Sequence, residues 1–126
     1  MPIITITACG QKSKEFKNSV FDAVQAGLLV AKVPLENKLH RFIELSPENF
    51  RFSAQFSGTK MPRGDDFILI EVLWSTGRHA AIKKEVLKTM INELIKAKFN
   101  PEDVFVFFTD TAWENWACAG GRLDYV

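Results

Sequence analysis

Residues 66–74 read DFILIEVLW, and this stretch together with the pattern behind it decides the fold. It is short, almost continuously apolar and rich in isoleucine, leucine and aromatic residues, which predicts a buried β-strand. After a turn marked by Gly77, apolar residues recur at every fourth position and predict one face of an amphipathic helix. They are Ile82, Val86, Met90 and Leu94. Pro101 and the strand-like segment DVFVFFT at 103–109 complete a predicted strand–helix–strand unit.

The first half of the chain repeats this order. Residues 2–8 (PIITITA) predict a strand, an apolar stripe over 11–32 predicts a helix that ends at Pro34, and residues 38–46 (KLHRFIELS) predict a second strand. Corresponding apolar positions in the two halves lie 66 residues apart through the first strand and the helix. They include the pairs Ile4 and Ile70, Phe16 and Ile82, Val20 and Val86, and Leu28 and Leu94. The prolines after the helices, Pro34 and Pro101, are one residue further apart.

The two halves predict an α/β (α+β) fold. Each half, about 2–46 and 66–109, is expected to form a β-α-β unit with a right-handed crossover between parallel strands. Together they predict a four-stranded mixed sheet with two helices on one face, within a single domain over residues 1–126. The other face is apolar too, because Phe105 and Phe107 alternate with apolar neighbours in the last strand. A soluble monomer seldom exposes so large an apolar patch, so we expect other copies of the chain to cover it.

Composition and charge exclude several classes of protein. The 126 residues include 16 basic and 15 acidic ones, so no basic excess favours nucleic acid as a partner. No apolar run approaches the ~20 residues needed to span a bilayer, and no secretory signal is visible. The two cysteines form neither a disulfide framework nor a set of zinc ligands. We therefore expect a cytoplasmic protein without metal, cofactor, membrane or nucleic-acid partner.

Pro2 is the first candidate for chemistry. A second residue this small permits removal of Met1, which leaves the secondary amine of Pro2 at the start of a strand. Burial beside apolar residues lowers the pKa of such an amine from its usual value of about 8. The amine can then act as a general base or acid, or attack a carbonyl. A retained Met1 converts the same nitrogen into an unreactive amide, so this assignment requires that Met1 is removed.

Two arginines are candidates for binding an anion. Arg78 lies where the third strand turns into the second helix, and it is either a clamp for a substrate carboxylate or an exposed residue of the first turn. Arg41 alternates with apolar residues in the second strand, so its charge needs an anionic partner. That partner is either a substrate or an acid such as Asp22 or Glu71 in a structural pair.

The tail, 110–126, is expected to be irregular or a short hairpin. Its tryptophans, Trp113 and Trp116, either wall a pocket or simply pack against the core.

These features together resemble the tautomerase superfamily, which includes oxalocrotonate tautomerase, macrophage migration inhibitory factor and malonate semialdehyde decarboxylase. A Met-Pro start that opens into a strand, two β-α-β halves, an apolar second face and an arginine after the third strand occur in that order. The resemblance covers nearly the whole chain and is nearest to the malonate semialdehyde decarboxylase-like branch, through Val33-Pro34 and the segment from Trp116 to Gly121-Arg122. It implies a homotrimer with sites at the subunit interfaces.

The resemblance also implies roles for individual residues. Pro2 matches the catalytic proline, Arg78 matches the arginine that binds or polarises the substrate, and Trp116 matches an aromatic residue that lines the pocket. Asn37 stands where the decarboxylases place an aspartate, and it can orient a carbonyl or a water but cannot take up a proton. Arg78 is alone where the decarboxylases carry two arginines, which makes Arg41 a candidate for the missing charge.

The function expected on these grounds is cofactor-independent keto–enol tautomerisation of a small 2-oxo acid of the phenylpyruvate kind. A malonate semialdehyde decarboxylase- or hydratase-like enzyme is the first alternative, and Asn37 and the single Arg78 count against it. A non-catalytic trimeric binding protein is the second alternative.

Overall fold

The computed structural model describes residues 1–56 and 58–124 of the chain. Its main elements, in chain order, are β1 (Ile3–Cys9), α1 (Lys14–Val30), β2 (His40–Leu45), β3 (Ile68–Ser75), α2 (Ala80–Lys96) and β4 (Val104–Thr111). Short 3-10 turns occur at Pro47–Asn49, Pro101–Asp103 and Trp113–Asn115. The last strand therefore runs two residues further than the sequence pattern predicts, into the segment expected to be irregular.

The four strands form one sheet in the order β2-β1-β3-β4. β1 is parallel to β2 and β3 is parallel to β4, whereas the two central strands are antiparallel to each other. Each parallel pair is joined through its own helix, so the chain consists of two consecutive β-α-β units. The predicted four-stranded mixed sheet is confirmed.

Both helices pack on one face of the sheet and against each other. The core consists of the strand residues that point to this face and of the inner stripes of the helices; its fully buried members include Ile4, Ile6, Ile70, Trp74, Val24, Leu28, Val86 and Leu94. The helices approach closely at Gly27, where a Cβ atom would lie 2.7 Å from Cγ of Met90 and 3.1 Å from the carbonyl oxygen of Val86. Gly27 therefore fixes the distance between the two helices.

Helix α1 spans Lys14–Val30, within the predicted range 11–32, and it is ended by a cap and not by Pro34 itself. Lys32 has a left-handed conformation, with φ of +62°. The N–H of Val33 donates to the carbonyl oxygen of Leu28 at 3.1 Å, and the N–H of Lys32 donates to that of Leu29 at 2.9 Å. These two bonds form a Schellman cap, which satisfies carbonyl groups of the last helical turn.

Helix α2 ends in the same way, 66 residues later. Lys98 has φ of +72°, and the N–H of Phe99 donates to the carbonyl oxygen of Leu94 at 2.9 Å. The strand registers repeat too, because Ile6 lies opposite Phe42 as Val72 lies opposite Phe108. The 66-residue offset thus extends into the second strands, and Pro34 and Pro101 are not equivalent positions.

The sheet face without helices is partly covered by the long loop between β2 and β3. The ring of Phe56 in this loop stacks on Phe105 of β4, with 6.4 Å between centroids and 3° between planes. Ile43 and Phe107 on the same face remain exposed to 37% and 39%. No helix in the described part of the chain is long and apolar enough to cross a membrane.

Candidate active site

Three chain segments converge on the start of β1, which begins directly after Pro2. β3 is antiparallel to β1, and β4 is parallel to β3. The carboxyl ends of β3 and β4 therefore both lie beside the start of β1. The segment that leads into β2 lies on the other side, where the N–H of Ile4 donates to the carbonyl oxygen of Leu39 at 3.0 Å. The topology therefore places residues from distant parts of the sequence around the amino terminus.

A cavity of about 320 Å³ opens at this point. It is lined by residues 1–3, 36–39 and 116–118. Pro2 is buried, and Trp116 is only 8% exposed. Three of the residues predicted from the sequence, Pro2, Asn37 and Trp116, thus line one cavity.

The amino terminus lies in an environment that disfavours positive charge. Burial lowers the pKa of the Met1 amino group below its ordinary value, and the charge of Arg78 lowers it further, while Cys118 acts in the opposite direction. Met1 precedes Pro2 in this structure, so the Pro2 nitrogen is part of a peptide bond. The surroundings of the amino terminus therefore favour the neutral form of an amine.

Arg78 lies beside this cavity without being one of its lining residues. Its guanidinium carbon is 4.3 Å from the centroid of the Trp74 ring, and its Nη1 donates to the carbonyl oxygen of Ser75 at 2.9 Å. Partial burial lowers the pKa of Arg78, and the nearby carboxylate of Asp110 opposes that shift. The guanidinium remains cationic at any physiological pH, and its charge reaches the amino terminus.

Arg41 is the one predicted site residue that the structure places elsewhere. Its Nε donates to Oγ1 of Thr5 at 2.9 Å, on the sheet face that carries no helix. Together with Glu71 it lines a separate depression of about 230 Å³. Within residues 1–56 and 58–124, no ion pair joins Arg41 to Asp22 or Glu71, and its side-chain hydrogen bond is to the hydroxyl group of Thr5 rather than to either acid.

Several cavity residues have no signal in the sequence pattern. Glu36, Lys38 and Leu39 flank Asn37, and Cys118 follows Trp116 by two residues. Cys118 is an exposed free thiol. Only the nearness of these residues to Asn37 and Trp116 along the chain could have indicated their position.

The segment from Asn37 to Trp116 also carries the match to known proteins. A family model described as tautomerase enzyme matches residues 37–119, which is more than half of the chain. The chain belongs to the tautomerase family. Members of this family are enzymes. Pro2 lies before the matched segment, whereas Arg78 and Trp116 lie within it.

Solved structures support the fold of this tautomerase-family chain. A malonate semialdehyde decarboxylase inhibited by 3-bromopropiolate matches with a TM-score of 0.85 and 22% identity, over 98% of this chain and 93% of that one. A second malonate semialdehyde decarboxylase, described with decarboxylase and hydratase activities, matches with a TM-score of 0.85 and 18% identity, over 98% and 95%. A fused 4-OT described as a symmetric trimer matches with a TM-score of 0.71 and 16% identity, over 95% and 94%. No curated protein matches the sequence significantly.

Proposed function

We propose that this protein is a keto–enol tautomerase for a small 2-oxo acid of the phenylpyruvate kind, with the amine of Pro2 as its proton-transfer group. The observation that carries the proposal is the position of Pro2. It is buried, it lines a cavity together with Asn37 and Trp116, and the cation of Arg78 lies close enough to lower the pKa of the amino terminus. The proposal requires that Met1 is removed, which frees the secondary amine.

In this scheme the free amine of Pro2 transfers the proton, and Arg78 binds the substrate. At the amino terminus, burial and the charge of Arg78 disfavour an ammonium ion, which favours the neutral form of the amine that can take up a proton. In the direction from enol to keto, the neutral amine takes the proton from the enol hydroxyl, and the ammonium ion so formed delivers it to the carbon and becomes neutral again. Arg78 binds the substrate carboxylate and stabilises the negative charge that develops on oxygen.

The remaining cavity residues orient the substrate. The amide of Asn37 offers a donor and an acceptor for the carbonyl group of the substrate or for a water molecule. The ring of Trp116 is almost completely buried and excludes water from one side of the cavity. Arg41 binds Thr5 instead and takes no part in this scheme.

We propose that the protein forms a homotrimer. Its open sheet face carries the exposed side chains of Ile43 and Phe107, which a second copy would bury. Similar solved structures include fused 4-OT proteins described as symmetric and asymmetric trimers. In such an assembly the neighbouring copy would lie close to the strand ends where Pro2 is found.

Decarboxylation or hydration of a three-carbon oxo acid is the second candidate, and the fold likeness to two malonate semialdehyde decarboxylases favours it. Asn37 counts against it, because an amide cannot accept a proton as a carboxylate can. Activity on malonate semialdehyde that exceeds activity on phenylpyruvate enol would favour this second candidate.

The deciding experiment combines intact mass with turnover. We expect the purified protein to lack the mass of Met1 and to convert phenylpyruvate enol to the keto acid. Exposure to 3-bromopropiolate should add one adduct per chain, located at Pro2 by peptide mapping, with loss of activity. Pro2→Leu is the matched variant, since a large second residue retains Met1 and blocks the amine. Full activity in Pro2→Leu would show that the amine of Pro2 is not the proton-transfer group. A mature chain that keeps Met1 would instead indicate a non-catalytic binding protein.

A further inference from the structure

Both carboxylate oxygens of Asp110 are engaged beside the candidate site. Oδ1 accepts a hydrogen bond from the indole Nε1 of Trp74 at 2.8 Å, and Oδ2 lies 3.1 Å from Nζ of Lys83. Trp74 and Asp110 are directly opposite each other in the register of β3 and β4. Burial acts to raise the pKa of Asp110, but the hydrogen bonds from Lys83 and Trp74 outweigh it and lower that pKa. Asp110 is therefore a charged carboxylate with both oxygens occupied.

Arg78 lies over the indole ring of Trp74, the same ring whose Nε1 donates a hydrogen bond to Asp110. Its guanidinium lies 4.3 Å from the centroid of the Trp74 ring and donates to the backbone carbonyl group of Ser75. Asp110 is near enough to oppose the lowering of the pKa of Arg78. Over the residues that the structure describes, however, no carboxylate forms an ion pair with Arg78. A half-buried guanidinium with no acidic partner is available to an anionic ligand.

We propose that Lys83 and Asp110 are positioning residues for Arg78. Asp110 fixes the Trp74 ring on which the guanidinium lies, and Lys83 holds the carboxylate of Asp110 so that it does not pair with Arg78. The charge of Arg78 then stays free for the substrate carboxylate. This inference rests on the proposed function, because it assigns Arg78 to that carboxylate.

The first half of the chain contains a matched control. Lys17 and Glu44 form an ion pair at 3.0 Å, and each lies 66 residues before its counterpart in the pair of Lys83 and Asp110. Nζ of Lys17 lies 5.8 Å from the ring of Phe42, as that of Lys83 lies 5.7 Å from the ring of Phe108. The first pair lies near the end of β2, at the sheet edge far from Pro2. The two pairs therefore share their structural role, and only one of them is beside Arg78.

The test compares Lys83→Met, Asp110→Asn, the double variant and Lys17→Met. In Lys83→Met the freed carboxylate should pair with Arg78 and compete with substrate, so we expect KM to rise at least about tenfold, with kcat within about threefold. The double variant lacks the competing charge, and its KM should return to within about threefold of the wild-type value. Lys17→Met should leave KM unchanged.

Two results would overturn the inference. One is a KM in Lys83→Met no higher than in Lys17→Met, and the other is a double variant no better than Lys83→Met, since either shows a purely structural ion pair. Lys83→Arg keeps the ion pair with Asp110 and should retain the wild-type KM. A KM that rises in Lys83→Met but not in Lys83→Arg is then due to loss of the ion pair.

A binding measurement separates this inference from the proposed function. Titration calorimetry with phenylacetate, an unreactive carboxylate, should give the same ranking of dissociation constants among the variants. Wild-type protein that binds phenylacetate but does not convert phenylpyruvate enol would refute the proposed function while the ranking still tests the positioning role. Phenylacetate binding that is equal in wild type and Arg78→Met would refute the positioning role itself.

Discussion

The guanidinium of Arg78 lies over the indole ring of Trp74, with 4.3 Å between its central carbon and the ring centroid. A planar, delocalised cation suits this position, whereas the ammonium group of a lysine cannot stack or bind a carboxylate with two parallel bonds. We predict that Arg78→Lys lowers kcat/KM for phenylpyruvate enol by roughly tenfold or more, and Arg78→Met by roughly a hundredfold. Steady-state kinetics check this. Arg41→Met is the control and should change kcat/KM less than twofold or so, because Arg41 lies on the other sheet face.

The pKa of the amino terminus should depend on Arg78. Burial and the charge of Arg78 both lower the pKa of the Met1 amine, so loss of that charge should move the pKa upward toward its ordinary value. In protein that retains Met1, NMR titration of the amine should show this rise in Arg78→Met and no rise in Arg41→Met. In the processed protein the acid limb of the kcat/KM profile should move to higher pH in Arg78→Met, because more of the amine is then protonated at a given pH. An unchanged limb would mean that Arg78 does not act on the amine.

His40 should make stability depend on pH. Burial lowers the pKa of His40 below 6.5, and the charge of Lys38 lowers it further. The unfolded chain therefore binds more protons than the folded chain between the lowered pKa and 6.5, so stability falls as pH decreases through that window. Urea unfolding at pH 7.5 and pH 5 should show a smaller loss of stability in His40→Gln than in wild type. Equal losses would show that His40 is not responsible.

Gly27→Ala should destabilise the protein. The added methyl group would lie 2.7 Å from Cγ of Met90, which is fully buried and cannot move into solvent. The strain of overpacking, about 1–3 kcal/mol, exceeds the gain of about 1 kcal/mol in helix propensity. The measurement is the free energy of unfolding in urea. The double variant Gly27→Ala with Met90→Ala removes the clash, so recovery relative to Met90→Ala alone would support this explanation.

Lys32→Gly and Lys98→Gly should each stabilise the protein. Both lysines have a left-handed conformation at the end of a helix, which costs a residue with a Cβ atom about 1 kcal/mol relative to glycine. We expect the free energy of unfolding to rise by a few tenths to about 1 kcal/mol for each. Lys88→Gly, within α2, is the control and should lower it by about 1 kcal/mol. A fall in stability in Lys32→Gly would contradict the capping assignment.

Much of the fold follows from local patterns in the sequence. The four-residue stripes over Val20 and Leu28, and over Val86 and Leu94, are indeed the buried faces of the two helices. The helix ends do not follow in the same way. A lysine in the left-handed conformation has no sequence signature comparable to that of a glycine. The sequence therefore predicts the end of the helix from the nearby Pro34 instead.

The candidate site depends on contacts between distant residues and is harder to predict. Pro2 and Asn37 meet because of the register between β1 and β2, which periodicity alone does not specify. Asp110 was missed because the apolar pattern of β4 stops at Phe108, although the strand continues to Thr111. Arg41 donates to the hydroxyl of Thr5 on the neighbouring strand, whereas the sequence pattern pointed to a substrate or an acid as its partner.

The repeated geometry of the two halves limits how many reactive groups this scaffold can display. The position equivalent to Pro2 in the second half is Ile68, which lies inside the chain and is paired with Val104 and Ala8. A covalently joined pair of β-α-β units thus has two equivalent corners but a single α-amino group. Labelling of the α-amino groups in the proposed trimer should consequently saturate at three, one for each chain, because the equivalent corner at Ile68 has no amino group to label.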